Sequence, residues 1–323
     1  MRKVITFFFI PLLLVNFLYV LSGVLFQPII STDTIGIWLF KAKAIFLGKE
    51  YFFHQLSSPE FSYSSQDYPI LLPLSFSLIY QITGGITEKS ALLLFTYLLS
   101  MFSPFLAQAG RSHAGNADIV LVFLSWLAAY LLCTFPKSSK LPIYLTLIIM
   151  VASQIKMEGV FLVLLLVFLP LKKRQKILLV FLSLIPFLVW TFVTKSLIKT
   201  PFTRFYFPSA TEIVPRSKIV IFGLGKEMLN YKNWYIFWPI FFLSFFIKEK
   251  SNYLVKKVIS PYLLGSSILF FVIYIFSSTP TEKYVPSSIG RILFQLSPWI
   301  FLLFFENVLP EVTKVKKRFP QFL

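Results

Sequence analysis

Apolar residues in this chain run in long blocks, without the narrow stripes of a water-soluble domain. Ten blocks stand out, at about residues 4–26, 70–83, 90–107, 118–135, 141–154, 159–171, 177–194, 233–247, 258–277 and 291–308. A helix needs roughly 20 apolar residues, about 17–25 allowing for tilt, to cross a bilayer core. The longer blocks meet that length. The shorter ones suit tilted or broken helices, which are tolerated at membrane depth where they line a cavity. The pattern predicts an all-α, polytopic integral membrane protein of about ten transmembrane helices, forming one transmembrane domain over 1–323 with no separate soluble domain. The opening "MRKVITFFFIPLLLVNFLYVLSGVLF" starts with basic residues, as a signal peptide does. Its apolar run exceeds the ~7–15 residues of such a leader and no small-residue cleavage site follows, so it reads as a retained first helix.

Composition supports this reading. Of 323 residues, 57% are hydrophobic and only 14% charged, where a soluble domain carries about a quarter charged. The net charge of +18 raises nucleic acid as a partner, but the placement of the charges answers it differently. With the N-terminus in the cytoplasm and the blocks alternating, the short inner pieces hold 17 Lys/Arg against 4 Asp/Glu, and the outer pieces 14 against 9. The runs "KKRQK" and "KVKKR" both fall inside. That is the positive-inside pattern of a multi-pass cell-membrane protein. The expected partners are membrane lipids, and no nucleic acid. Two outer segments are long, about 27–69 and 195–232, and a third spans about 278–290. A single cysteine, Cys133, excludes an intramolecular disulfide.

The chemistry-bearing residues gather on the outer side. Asp33 follows the first block, Asp67 and Tyr68 lead into the second, and Asp118 opens the fourth. Lys156 and Glu158 sit between the fifth and sixth blocks, and Arg291 begins the last. Ionisable groups at membrane depth are costly and by default functional; the plain alternative is that they mark helix ends among the headgroups. Asp33 and Asp118 offer the carboxylate oxygens that a hard divalent cation takes, with His113 near Asp118 as a further ligand. Either carboxylate could instead serve as general base to an acceptor hydroxyl. Lys156 and Arg291 supply positive charge of the kind a departing phosphate needs. Lys195, Lys199, Arg204, Arg216 and Lys218 make the outer segments basic as well. Together these residues point to an anionic, lipid-linked substrate.

Other features have simpler readings. Trp38, with Ile35, Ile37, Leu39, Phe40 and Phe46 and the cations Lys41, Lys43 and Lys49, suits an amphipathic helix in the interface. There Trp38 acts as an anchor, with sugar stacking as the alternative. His54 and Glu60 are of ligand type but read as surface residues. Gly223 and Gly225 lack the strand–turn–helix setting of a dinucleotide fingerprint.

Five stretches, "STDTIGIWLFKAKAIFLGKEYF", "QDYPILLPLSFSLIY", "NADIVLVFLSW", "IKMEGVFL" and "IGRILFQLSPW", come in this order between about 29 and 300. In that order they resemble the GT-C superfamily of integral membrane glycosyltransferases. The resembled branch holds the protein mannosyltransferases, the aminoarabinose transferases of lipid A and the RgtA/B/C/D-like transferases. The resemblance implies a sugar moved from a polyprenyl-phosphate donor to an acceptor hydroxyl of a glycan, lipid or protein, with inversion at the anomeric carbon. It gives Asp33 the role of base or metal holder, and Asp118 that of a second acid at the site's edge. Lys156, Glu158 and Arg291 would line the donor site with the cations near the lipid phosphate, and Asp67 and Tyr68 the mouth of the second span. The chain departs from that family's pattern in having Thr34 where many members carry a second acid, a short stretch between Gly84 and Asp118, and no C-terminal soluble domain. These departures bear on metal dependence and acceptor class. Two rivals stand beside this reading: a transporter or lipid flippase, marked by charges paired near the midplane and by repeat symmetry, and a GT-C-like subunit without activity.

Overall fold

A computed structural model of the chain describes residues 33–92, 117–136, 138–198, 206–234, 237–244 and 255–318, with isolated positions before residue 33. Among the described residues the elements are all helical. A π-helical stretch, Thr34–Leu39, runs into α1 (Phe40–Leu47). Gly48, at φ +129°, breaks the chain between α1 and α2 (Lys49–Ser57), a conformation that favours a residue without a Cβ. A 3₁₀ turn, Pro59–Ser64, precedes α3 (Leu71–Thr83). Then follow α4 (Ala117–Thr134), α5 (Leu141–Ile155), a 3₁₀ stretch Met157–Leu162, and α6 (Val163–Phe168). The remainder comprises α7 (Lys173–Leu197), α8 (Ala210–Met228), α9 (Tyr231–Trp234), α10 (Phe237–Ser244), α11 (Ser260–Ile275) and α12 (Thr281–Arg318).

Four of these are long and apolar enough to cross a membrane: Ala117–Thr134, Lys173–Leu197, Lys257–Ile275 and Thr281–Phe304. Shorter apolar helices lie at Leu71–Thr83, Leu141–Ile155 and Met157–Phe168. The expected blocks at 4–26 and 90–107 fall almost wholly outside the described residues. The outward surfaces fit an apolar solvent. Ile177, Phe181, Val189 and Phe192 on α7 are all exposed, as lipid-facing positions should be. The core runs between α4 and α12, where Ile119, Val122, Phe294 and Trp299 are fully covered. Trp126 of α4 packs on Phe301 of α12, and Tyr262 of α11 on Trp299.

Two local devices shape the end of the bundle that carries the charges. α5 stops at Ile155 because Lys156 is extended, at φ −157° and ψ 149°. The chain then turns through 3₁₀ geometry, and α6 packs back on α5. A Cβ at Gly159 would stand 2.2 Å from the carbonyl oxygen of Ala152, so the "KMEG" stretch needs glycine to close this hairpin. On the other side, Ser209 and Glu212 form a capping box that starts α8. The backbone N–H of Ser209 and the hydroxyls of Tyr206 and Ser209 all donate to Glu212 and hold its carboxyl below the usual range.

The structure departs from the expected layout in three places. The last helix begins at Thr281, so 278–290 is largely helix and Arg291 lies inside α12. The outer segment 195–232 contains a 19-residue helix, α8. The third departure concerns α3, which runs beside α1. Phe46 meets Tyr80 edge-on, Lys43 pairs with Glu88, and Lys89 donates to the carbonyl of Leu25 at 2.8 Å. The turn "TGGITEK", expected on the cytoplasmic side, therefore touches segments expected outside. The physical reason is length: thirteen residues of helix rise about 20 Å, short of a ~30 Å hydrocarbon core.

Candidate functional site

Four separate parts of the chain deliver charge to one place. Asp33 immediately precedes the π-helical stretch Thr34–Leu39. Asp118 stands in the first turn of α4. Lys156 and Glu158 come from the hairpin tip between α5 and α6, and Arg291 from α12. Arg291 donates from Nε to Oδ2 of Asp118 at 2.7 Å and from Nη1 to Oδ2 of Asp33 at 2.9 Å. Lys156 donates from Nζ to Oδ1 of Asp118 at 2.8 Å and lies 3.1 Å from Oε1 of Glu158. The result is a chain of alternating charge: Asp33, Arg291, Asp118, Lys156, Glu158.

Depth divides the five groups. The Asp118 side chain is 0% exposed and that of Lys156 3%, whereas Asp33 is 35% exposed. Arg291 lies between, with its Nε on the buried acid and its Nη1 on the exposed one. Such a guanidinium is fixed in orientation by its deep partner and can still offer its remaining N–H groups outward. Lys156 is fully engaged by two carboxylates, so its charge acts through Asp118 and is not presented at the surface. Asp67 is not among the five groups; its backbone carbonyl accepts from Trp190 at 2.9 Å. Beside the pairs is a small, partly open cavity lined by Leu121, Ser125, Glu158, Tyr262, Phe270 and Gln295.

The fit to a divalent cation is poor. Arg291 stands between Asp33 and Asp118, where a shared cation would bind. No cluster of three His, Cys, Asp or Glu suited to a metal occurs among the described residues. His113, the third expected ligand, lies outside them. His54 and Glu60 form an exposed surface pair at 3.7 Å.

Three residues have roles that the sequence reading did not give them. Gln295 donates from Nε2 to Oδ1 of Asp118 and adds a third donor to that carboxylate. The signal was its spacing, one helical turn after Arg291 on the same face. Trp38 is 1% exposed and stacks on Tyr68 with centroids 5.6 Å apart, so it is core and no interfacial anchor. Lys41 is 0% exposed. Its Nζ donates to the carbonyls of Ser65, Gln66 and Tyr68 at 2.8, 3.3 and 3.0 Å. It thus pins the turn that carries Asp67 and Tyr68 onto α1. Ile37, Trp38, Lys41 and Ala42 share one helical face, and that placement was the available clue. Lys41→Met would keep the apolar stem but leave buried carbonyls without their donor, each costing ~1–3 kcal/mol. The expected outcome is a melting temperature several degrees lower in detergent, measured by intrinsic fluorescence.

Comparison of the chain with protein-family models, curated proteins and solved structures gives no match.

Proposed function

We propose that this chain is a membrane glycosyltransferase that moves a sugar from a polyprenyl-phosphate donor to an acceptor hydroxyl. The acceptor is a glycan, lipid or protein on the extracytoplasmic face of the cell membrane. The observation that carries the reading is the position of Arg291, held between buried Asp118 and exposed Asp33. A phosphate bound by its outward N–H groups would sit beside the Asp33 carboxylate.

The chemistry follows from that adjacency. The acceptor oxygen forms a bond to the anomeric carbon while its proton passes to Asp33. The carbon–oxygen bond to phosphate breaks, and its electron pair leaves on the phosphate oxygen, where Arg291 stabilises the growing charge. Inversion at the anomeric centre, which the family resemblance implies, requires the acceptor to attack from the face opposite the phosphate. Asp118, Lys156, Glu158 and Gln295 act as positioning residues, holding Arg291 at a fixed angle. Tyr68 and Asp67 belong to the turn that Lys41 pins onto α1, and they are assigned to the mouth of the site. No step is assigned to a divalent cation.

The test uses purified protein in nanodiscs with a radiolabelled polyprenyl-phosphate sugar. The expected result is release of polyprenyl phosphate, dependent on an acceptor. Arg291→Ala should reduce release by 10²-fold or more, the usual order for losing one charge-stabilising donor. Donor turnover equal to wild type in that variant would remove Arg291 from the phosphate site and the reading with it.

A further inference from the structure

α8 is built inside-out for a helix in water. Its charged groups Arg216 and Glu227 turn inward. Arg216 donates from Nη1 to the carbonyls of Ile275 and Ser277 at 2.8 and 3.0 Å, and its guanidinium lies 4.8 Å from the Tyr206 ring. It thereby caps the end of α11, where a cation complements the helix dipole. Glu227 accepts from Asn233 Nδ2 at 2.7 Å and Trp234 Nε1 at 3.0 Å. The same inward face brings Val220 against Tyr274, Val285 and Ile289. Gly223 allows the approach, because a Cβ there would meet Val285 Cγ1 at 2.4 Å. Small residues at such crossings let helices of a membrane bundle come close.

The outward face is apolar. Val214, Lys218, Ile221, Phe222, Gly225 and Leu229 recur every three or four residues and all are exposed, the period of one helical stripe. Phe222 and Leu229 are each 75% exposed. α10 also exposes apolar residues, Ile240, Phe242 and Leu243. The inward neighbours, α11 and α12, belong to the helices long and apolar enough to cross a membrane. Lys218 and Lys226, both exposed, have long stems that let an ammonium reach headgroup phosphates while the stripe stays in acyl chains.

We propose that the outward stripe of α8 is a lipid-contacting surface. It seats at the headgroup–acyl boundary of the leaflet on the side of Arg291, with lipid phosphates against Lys218 and Lys226. The part of the segment 195–232 that forms α8 is then embedded along its outward side, beside α12. This inference is independent of the transferase reading.

The test places a nitroxide on the full-length protein in a Cys133→Ser background. Single variants Ile221→Cys, Phe222→Cys, Leu229→Cys and, near the helix start, Thr211→Cys are labelled and reconstituted into phosphatidylcholine–phosphatidylglycerol nanodiscs. Power saturation then compares collisions with oxygen, which concentrates in lipid, and with a water-soluble nickel chelate. The expected result is oxygen access several-fold above nickel access at 221, 222 and 229, and the reverse at 211. Nickel access at 222 and 229 equal to that at 211 would mean water there and overturn the proposal. Low access to both reagents would mean a protein partner or a second copy covers the stripe, and overturns it equally.

Discussion

Asp33→Asn is expected to lower transfer by about 10²–10⁴-fold, the range that a positioned general base contributes. The substitution keeps the size of the side chain and removes only its charge and basicity. Arg291 engages one oxygen of Asp33, Oδ2, and the proposed base is the other, Oδ1. The variant also separates two roles. Asp33 is the exposed end of the chain of charges, and Asp118 still holds Arg291 from the buried side. Without the Asp33 charge, Arg291 loses a competitor for phosphate. The donor KM should therefore stay level or fall while kcat collapses, a pattern that marks loss of an interaction made in the transition state. Steady-state kinetics with a labelled donor read both quantities. A raised KM with unchanged kcat would instead make Asp33 a binding residue.

The convergence of Asp33, Asp118, Lys156, Glu158 and Arg291 was legible in the chain because helices in a membrane leave few places for charge. If apolar blocks alternate, ionisable residues at block ends on one side must lie at one end of the bundle. What the sequence could not show was how the charges divide among themselves. Nothing in the spacing of Asp118 and Lys156 says that both would be covered while Asp33 stays open. Burial of that kind depends on the hairpin tip, and the hairpin closes only because Gly159 meets the backbone of Ala152.

The misreadings share a cause. Trp38 and Lys41 look interfacial because aromatic and basic residues frequent that depth. Composition cannot distinguish a cation facing phosphate from one facing backbone carbonyls. The distinction rests on the turn at 65–68, which folds back onto α1 and supplies three acceptors. α3 was misplaced for a different reason. A short apolar block is equally consistent with a tilted span and with a helix packed on a neighbour, and periodicity does not separate the two. α8 was missed although "SATE" spells its cap, because its outward apolar residues are interrupted by Lys218 and Lys226.

Asp118 is the residue whose loss should most damage the fold. Its Oδ1 accepts from Lys156 and Gln295 and its Oδ2 from Arg291. Removing one partner from a buried ion pair costs about 3–5 kcal/mol, because the remaining charge is stranded away from water. That is a large part of a protein's whole stability margin, about 5–15 kcal/mol. Asp118→Leu should therefore give much less folded protein, read as the monodisperse fraction after extraction and as melting temperature. The effect has an internal control. Lys156→Met removes the stranded ammonium, so the double variant should be less destabilised than the sum of the two single changes. Lys156 keeps Glu158 as a partner, and Arg291 keeps Asp33, so the recovery should be partial. A strictly additive double variant would show that Asp118 and Lys156 are not energetically coupled. If Asp118→Asn lost turnover but kept wild-type melting and extraction, Asp118 would be acting in the chemistry, and the assignment of Asp118 as the anchor of Arg291 would fall. The distinction matters because the proposed chemistry leaves the base role to Asp33 alone: Asp118 is fully covered and held by two cations and an amide, so an acceptor hydroxyl has no path to it and its carboxylate is stabilised as the charged form.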